Sequence, residues 1–249
     1  MSTRKQNPAE PGGSLWQRLA DPAPAPRQTL TPRRIATTAV AVADAEGLDA
    51  ITMRRLATEL GVVPMAAYRY VSGKDDVLEL MVDLAYEELH AEVGPEAGAG
   101  WRESLRDFAL RTRDLVLRHP WLAQLPPQAA YALTPNKLAV ADRTLAALDG
   151  TGLDHDTAMA AVRTVEAYTH GTVGPEVALR QLMAGKGWTD GDDVRSGLAP
   201  QMTYLLGTGR YPAYQRYVAA ARHKDDPARR FETGLDITLD GIAATLHRP

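Results

Sequence analysis

A glycine at position 61 separates two short helical segments, and this break is the strongest constraint on the N-terminal fold. Thr52 can cap a helix over residues 52–60, in which apolar residues recur at helical spacing: Met53, Leu56, Ala57 and Leu60. Pro64 can open a second helix over residues 64–71, which the Ser-Gly pair after it ends. Two helices joined by a glycine-containing turn of about three or four residues form a helix-turn-helix.

Further helices flank this pair. Thr31-Pro32 combines an N-cap with a proline at the first helical position, and Gly47 ends the helix that they open at residue 46. After the pair, Ser72 and Asp75 resemble a capping box and predict a helix over residues 72–91.

The remainder of the chain also has helical periodicity, and strand signals are nearly absent, so the sequence predicts an all-α fold. A Gly- and Asp-rich loop is expected over residues 184–197. The expected helices cover residues 101–118, 121–125, 135–149, 155–183, 198–206, 211–222 and 227–246.

The helix after Gly61 has an unusual outer face. Ala67 and Val71 can face the core with Leu56 and Leu60, which leaves these residues outside: Met65, Ala66, Tyr68, Arg69 and Tyr70. Such a face suits a DNA major groove, where arginine can donate a fork of hydrogen bonds to guanine and methyl groups can contact thymine. Tyrosine hydroxyls can reach phosphates. The alternative is a helical hairpin with a tyrosine-rich surface.

The distribution of charge supports the DNA interpretation modestly. Residues 1–74 carry ten Lys and Arg against six Asp and Glu, whereas the whole chain has a net charge of −3. Basic residues around the helix pair are candidate DNA contacts, and Lys74 lies at a helix N-terminus, where backbone N–H groups also suit phosphate. Besides Lys74, these candidates are Arg33, Arg34, Arg54 and Arg55.

The stretch TLTPRRIATTAVAVADAEGLDAITMRRLATELGVVPMAAYRYVSGKDDVLELMVD resembles the DNA-binding domain of the tetracycline-repressor (TetR) family of transcriptional regulators. The resemblance implies a dimer with two recognition helices in successive major grooves, about 34 Å apart, on a palindromic double-stranded operator. By motif, Thr52 and Arg54 contact phosphate and base. Tyr70 and Lys74 contact phosphate, and the remaining recognition-helix residues are Met65, Ala66, Tyr68 and Arg69.

Two residues depart from the family pattern. Ala66 replaces a serine or threonine and so removes a polar contact, and Ala67 replaces a leucine, which reduces the packing volume.

The C-terminal part is similar to the tetracycline-repressor-type ligand-binding domain, which implies a pocket for a small hydrophobic or aromatic effector. Arg163, Glu166 and His170 form one polar stripe in an apolar helix and could orient a ligand. An internal ion pair with a satisfied histidine, or chemistry of a dimer interface, would explain the same stripe. Other candidate pocket residues are Phe108, Thr112, His119, Trp121 and Tyr131.

The resemblance also implies that helices 155–183 and 227–246 of two subunits form the homodimer interface. The apolar stripe of the last helix is equally consistent with a core inside one chain: Phe231, Leu235, Leu239, Ile242 and Leu246. We divide the chain into a Pro-rich N-terminal arm (1–30), a three-helix helix-turn-helix DNA-binding domain (31–75) and a larger helical ligand-binding and dimerisation domain (76–249).

The sequence contains no catalytic motif of a hydrolase, nucleotide-binding enzyme or zinc protease, so we predict neither an enzyme nor a catalytic or metal site. No cofactor is expected to be required. A magnesium-dependent ligand fits the resemblance but is not predicted.

The chain has no cysteine, signal peptide or apolar run that spans a membrane, so a cytoplasmic protein is expected. The predicted function is a repressor that a small molecule releases from its operator. A DNA-binding regulator without an effector is the alternative.

Overall fold

The computed structural model describes residues 15–20, 30–91 and 100–246, and all regular secondary structure in these residues is helical. The predicted all-α fold is confirmed. Two short 3₁₀ helices cover Leu48–Ala50 and Pro120–Gln124. The α-helices of the described residues are α1 (Leu15–Ala20), α2 (Pro32–Glu46), α3 (Met53–Leu60), α4 (Pro64–Ala67), α5 (Lys74–Ala91), α6 (Trp101–Arg118), α7 (Pro127–Ala130), α8 (Pro135–Ala146), α9 (His155–Lys186), α10 (Gly191–Gly207), α11 (Pro212–Ala220) and α12 (Pro227–Leu246).

The chain forms two compact units. The first comprises Met1–Glu88 and Gln124–Ala139, and the second comprises Leu89–Ala123 and Val140–Pro249. The first unit therefore takes a segment from the middle of the chain. The domain boundaries at residues 30 and 75 remain predictions, and most of the predicted N-terminal arm lies outside the described residues.

Threonine caps start the first two helices of the helix-turn-helix region. The Oγ1 atoms of Thr31 and Thr52 each accept a hydrogen bond of 3.1 Å, from the backbone N–H of Arg34 and Arg55 respectively. Each cap satisfies a donor that the helix leaves free, which stabilises the helix by about 1 kcal/mol. The guanidinium of Arg34 also donates to the carbonyl of Leu60, 3.2 Å away, and so ties α2 to the end of α3.

Gly61 makes the turn after α3 as predicted. Its φ of 66° and ψ of 33° are left-handed, a conformation that side chains with a Cβ rarely adopt. The N–H of Val62 donates to the carbonyl of Ala57 at 3.0 Å, and the N–H of Gly61 donates to Thr58 at 3.1 Å. These two bonds form a Schellman motif, which closes the helix and reverses the chain before α4.

The helix after this turn is shorter than predicted. It was expected to cover residues 64–71, but α4 ends at Ala67 and a hydrogen-bonded turn follows, in which the N–H of Tyr70 donates to the carbonyl of Ala67. The next helix begins at Lys74, two residues later than expected. Its capping carboxylate is therefore Asp76, not Asp75, and accepts a 2.7 Å hydrogen bond from the N–H of Ser72.

In the second unit, α6, α9 and α12 pack against each other. The stripe predicted on the last helix is buried from Phe231 to Ile242, so it forms a core within one chain. The Tyr168 hydroxyl donates a 2.6 Å hydrogen bond to the carbonyl of Phe231, and burial raises the pKa of that hydroxyl. A Cβ on Gly234 would lie 2.3 Å from the Tyr168 Oη atom, so this glycine permits the close approach of α12 to α9.

The Gly- and Asp-rich loop predicted over residues 184–197 is wrong for most of its length. Helix α9 continues to Lys186 and α10 already begins at Gly191. The side chain of Asp190 caps α10 by accepting from the N–H groups of Asp192 and Asp193. Acidic residues stabilise a helix N-terminus, so the aspartates that we interpreted as loop residues start a helix.

We expect two glycine-to-alanine substitutions in open space to have opposite effects on stability. A Cβ would meet no atom within 4 Å at either Gly61 or Gly185, but only Gly61 has a positive φ. Gly61→Ala should lower the free energy of unfolding by about 1 kcal/mol, because an L-residue is strained in that conformation. Gly185→Ala, in the last turns of α9, should raise it by up to about 1 kcal/mol.

Urea denaturation followed by circular dichroism measures both changes. Equal effects of the two substitutions would contradict the conformational account of the Gly61 turn.

Candidate nucleic-acid interface

The outer face of α4 and its following turn is exposed at three of the five residues that the sequence predicted to face outward. Met65, Tyr68 and Arg69 are exposed, whereas Ala66 and Tyr70 are half-buried. On the inner side Ala67 and Val71 are completely buried, and α4 packs against α3. The small Ala67 side chain holds the backbone of α4 close to α3, so the exposed face has a fixed position within the first unit.

Three candidate DNA contacts lie at the start of α3, and they differ in the bonds that they already make within the chain: Thr52, Arg54 and Arg55. Because the Thr52 hydroxyl oxygen accepts from Arg55, its hydrogen can still be donated to a phosphate. Arg55 makes ion pairs with Glu46 at 2.7 Å and Glu59 at 3.0 Å. By contrast, the side chain of Arg54 is exposed and has no ion-pair or hydrogen-bond partner among the described residues.

Arg69 is in the same state as Arg54: it is exposed, and its guanidinium has no ion-pair partner in the described part of the chain. An unpaired exposed arginine keeps its full set of donors for an external acceptor. Arg54 and Arg69 therefore both keep all of their guanidinium N–H groups available to an external acceptor.

Arg33 has a different environment from the one expected. Its guanidinium donates to both carboxylate oxygens of Glu87, at 2.9 and 2.7 Å. Glu87 and Lys74 lie about 20 Å apart along α5, at 1.5 Å per residue. Arg33 thus ties α2 to a distant point of α5, and its predicted DNA contact stays a prediction.

Lys74, the predicted phosphate contact at the start of α5, donates a 3.0 Å hydrogen bond to the carbonyl of Leu48. The ammonium group retains two further N–H donors, so this bond holds the cation in place without occupying it fully. Asp75 and Asp76 lie in the same first turn of α5 as Lys74, and their negative charges offset part of the positive charge at this helix N-terminus.

A connection that sequence reasoning missed fixes the middle of α5. Asp83 accepts the backbone N–H of Asn136 at 2.7 Å and the side-chain amide of Asn136 at 3.0 Å. That amide also donates to the carbonyl of Asp83, at 3.2 Å. Asn136 lies in the first turn of α8, so Asp83 supplies the cap of α8 from another helix. Residues 124–139 are thereby bound to the helix that follows the exposed face.

The predicted effector-pocket residues fall into two groups. Thr112, His119 and Trp121 are buried in the second unit, where Phe108 is half-buried. The Thr112 hydroxyl is buried without a hydrogen-bond partner in the structure. Tyr131, in contrast, is 85% exposed and belongs to the first unit.

The polar stripe of α9 does not have the buried environment that its ligand role required. Arg163 and His170 are exposed, and Arg163 pairs with the half-buried Glu166 at 3.0 Å. The buried face of α9 runs instead through Val162, Val165, Thr169, Val173 and Glu176. The prediction assigned the polar residues to the wrong side of the helix, although their role in binding a ligand remains untested.

Glu176 is the buried carboxylate that the prediction missed. It accepts from Arg113 of α6 at 2.8 and 3.0 Å and from Arg180 at 2.8 Å. The guanidinium of Arg113 also lies 5.4 Å from the centre of the Phe231 ring. Glu176 follows Thr169 and Val173 at helical spacing, which places it on the buried stripe. This spacing is the sequence signal that could have identified Glu176.

An open groove of about 460 Å³ lies between α9 and α12 in the second unit. Threonine side chains in it, such as Thr164 and Thr238, donate to carbonyls four residues earlier, at 2.7 and 2.9 Å. Because their hydroxyls are satisfied internally, they present mainly methyl groups. The groove lining is Leu153, Thr157, Ala160, Ala161, Thr164, Ile237, Thr238, Gly241, Ile242 and Thr245.

The described residues contain neither a membrane-spanning helix nor a metal-binding cluster. None of their helices is long and apolar enough to cross a membrane. They contain no group of three or more His, Asp or Glu side chains that could hold a metal ion.

The two-helix motif, its Schellman turn and its exposed arginine-bearing face define a helix-turn-helix DNA-binding protein. Residues 35–81 match the family described as bacterial regulatory proteins, tetR family, and residues 94–246 match the tetracyclin repressor-like C-terminal domain. The chain belongs to the TetR family of transcriptional regulators, and it is a DNA-binding regulator, not an enzyme. Proteins of this family bind DNA operators as dimers and bind small-molecule ligands.

Individual relatives agree with this assignment over nearly the whole chain. The HTH-type transcriptional repressor DrrR1 of Streptomyces coeruleorubidus is 34% identical, over 92% of this chain and 83% of its own. An HTH-type transcriptional regulator of Saccharopolyspora erythraea is 30% identical, over 94% and 92%. The crystal structure of the TetR family protein ActR from Streptomyces coelicolor, in complex with actinorhodin, has a TM-score of 0.70 and 29% identity. It covers 88% of this chain and 97% of the ActR chain.

We expect the Asp83–Asn136 connection to contribute measurably to stability. Asn136→Ala leaves part of the Asp83 carboxylate without its donors and should lower the free energy of unfolding by about 1–2 kcal/mol. Asn136→Asp should cost more, because it replaces the amide donor with a second carboxylate that faces Asp83. Urea denaturation followed by circular dichroism tests this, and a smaller loss for Asn136→Asp than for Asn136→Ala would contradict it.

Proposed function

We propose that this protein is a dimeric repressor that binds a palindromic operator through the exposed face of α4 and leaves it when a small hydrophobic or aromatic molecule binds. The observation that carries the DNA contact is the exposed pair Arg54 and Arg69 beside Met65 and Tyr68, on a surface fixed by the buried Ala67. We place this activity in the cytoplasm, where bacterial DNA lies.

Each of these side chains suits one part of a DNA site. A major groove admits a helix, and an arginine there can donate to O6 and N7 of guanine. The guanidinium of Arg69 is free for this contact, while Arg54, Thr52, Tyr70 and Lys74 are suited to phosphate.

We expect Arg69→Ala to lose most of the specific DNA binding. Operators selected from random duplexes with the wild-type protein would be measured by fluorescence anisotropy over a salt series. Loss of a bidentate guanine contact should weaken binding by about 10- to 100-fold and relax specificity at one base pair. Arg54→Ala should weaken binding to all sequences and reduce the salt slope by about one.

Arg216 is an exposed arginine of α11, and Arg216→Ala is the matched control. This substitution should change neither the operator affinity nor the salt slope. Equal losses for Arg69→Ala and Arg216→Ala would contradict the assignment. Failure of the wild-type protein to select any duplex would refute the DNA-binding function itself.

The second unit is the proposed site of the effector. Support comes from two features of this unit: the buried Thr112 hydroxyl, which has no hydrogen-bond partner in the structure, and the buried aromatic residues His119 and Trp121, whose tilted rings have their centres 6.0 Å apart. A buried hydroxyl without a partner is costly, and a ligand that accepts its hydrogen removes this cost. No cofactor is required in this proposal, and the effector is the only small molecule invoked.

The ActR structure is in complex with actinorhodin, so this molecule is a reasonable first probe. Release of operator DNA by actinorhodin in the wild type, and weaker release in Thr112→Val, would support the pocket. Binding of the molecule without any change in DNA affinity would contradict the release mechanism, because a ligand shifts an equilibrium only through differential affinity for two states.

The face of α9 and α12 that carries the open groove is the proposed dimer interface. Ile237 is exposed at this face, and Gly241 leaves space for a neighbouring helix, since a Cβ there would meet no atom within 4 Å. The methyl-rich lining gives an apolar surface suited to burial against a second copy.

We therefore expect Ile237→Glu to shift the protein from dimer to monomer in sedimentation-velocity experiments at micromolar concentration. A carboxylate in an apolar interface loses hydration without gaining a partner. Leu138→Glu, which changes an exposed leucine of the first unit, should leave the dimer intact. A dimer that survives Ile237→Glu unchanged would place the interface elsewhere.

A further inference from the structure

Sulfur in this chain is confined to methionine, because the sequence has seven methionines and no cysteine. A two-electron oxidant such as a peroxide converts the methionine thioether to a sulfoxide, and in this chain no thiol competes with the thioethers for it. The oxidant must reach the sulfur atom to react. The exposure of the individual methionines therefore identifies where a peroxide acts on this protein.

Met65 is the most exposed methionine of the described residues. Its exposed fraction is 72%, against 39% for Met159, the next most exposed. Met81 is completely buried, and the remaining described methionines are half-buried: Met53, Met183 and Met202. Because Met65 belongs to α4, the sulfur atom that an oxidant reaches most easily lies on the face proposed to contact DNA.

Oxidation at this position alters the surface and leaves the core unchanged. A sulfoxide in a core disrupts its packing, since the group is polar where the thioether was apolar. The residues that hold α4 in place are Ala67 and Val71 on the opposite side, and both are completely buried. A sulfoxide at Met65 therefore changes what α4 presents to a partner without changing how α4 is held.

The added oxygen acts on the neighbouring arginine as well as on the DNA. Arg69 follows Met65 by four residues, and the backbone is still helical at Tyr68, so the two side chains are neighbours. The Arg69 guanidinium has no ion-pair or hydrogen-bond partner in the described part of the chain. The sulfoxide oxygen can accept from it and so compete with DNA. If Arg69 keeps its DNA contact, the oxygen is buried without a donor, which also costs affinity.

We propose that Met65 is an oxidation site through which a peroxide weakens operator binding. This inference rests on the proposed DNA-binding function and names a regulation of the same surface. The Met65 sulfur attacks one oxygen of hydrogen peroxide, and the O–O bond breaks. That oxygen stays on the sulfur, which loses two electrons, and the other oxygen leaves as water. Methionine sulfoxide reductases reverse the change with two electrons from a dithiol, so operator binding is recoverable.

The first test follows the oxidation of each methionine by peptide mass spectrometry, in the full-length protein exposed to dilute hydrogen peroxide. Met65 should react faster than Met159 in the free protein, because its side chain is more exposed. An operator duplex selected with the wild-type protein should slow the reaction of Met65 and leave that of Met159 unchanged, since bound DNA covers α4.

The second test measures operator affinity by fluorescence anisotropy before and after the peroxide treatment. Wild-type protein oxidised at Met65 should bind about five- to 100-fold more weakly, as expected for a polar atom buried without a partner, and a reductase should restore the affinity. Met65→Leu keeps the apolar volume without an oxidisable sulfur, so its affinity should survive the treatment. Met159→Leu is the matched control and should lose affinity as the wild type does.

Circular dichroism separates this effect from unfolding, and the spectrum of the oxidised wild type should match that of the untreated protein. A changed spectrum would overturn the proposal, as would slower oxidation of Met65 than of Met159. Unchanged affinity after oxidation of Met65, or an equal loss in Met65→Leu, would also overturn it. If the wild-type protein selects no duplex, the DNA-binding function fails before any oxidant is added, and the proposal fails with it.

Discussion

The burial of Ala67 against α3 is the packing interaction on which the DNA-facing surface depends. Ala67 is buried, and the left-handed turn at Gly61 reverses the chain so that α4 packs against α3. Because Ala67 and Val71 are held inside, the neighbouring side chains must point outside. The outward direction of Met65 and Arg69 thus follows from a packing requirement on the opposite side of the same short helix.

Helix α5 transmits this arrangement along the first unit. Near its start Lys74 is bonded to the carbonyl of Leu48, in its middle Asp83 caps α8, and near its end Glu87 holds Arg33 of α2. Three points along one helix are therefore fixed by bonds to other segments of the same unit. A helix is stiff over this length, so a displacement at one of these points moves the others with it.

The sequence was sufficient to predict the helix-turn-helix, because its determinants are local. Threonine caps, a glycine in a left-handed turn and an apolar stripe all act within a few residues. The identity of the outward residues on α4 followed from the same periodicity. The same periodicity did not predict where α4 ends. The turn after Ala67 keeps hydrogen bonds similar to those of a helix, and it differs from a helix only because this hydrogen-bond pattern does not continue.

Predictions failed where a residue depends on a distant segment or on the rotation of a long helix. Nothing in the sequence near Asp83 indicates that it caps a helix more than fifty residues later. On α9 the polar residues Arg163 and His170 were assigned to the buried side, yet the buried side carries Glu176, which is satisfied by Arg113 from α6. A small error in the rotation of a 32-residue helix is enough to exchange its buried and exposed polar groups.

The insertion of residues 124–139 into the first unit has a consequence for dissecting this protein. A fragment that ends at residue 91 contains α2 to α5 and looks like a complete DNA-binding module, but it lacks the segment that Asp83 binds. Its Asp83 carboxylate would lose the hydrogen bonds that Asn136 donates to it in the intact chain. The smallest faithful DNA-binding module is therefore discontinuous in sequence and requires a designed linker from residue 88 to residue 124, or the whole chain.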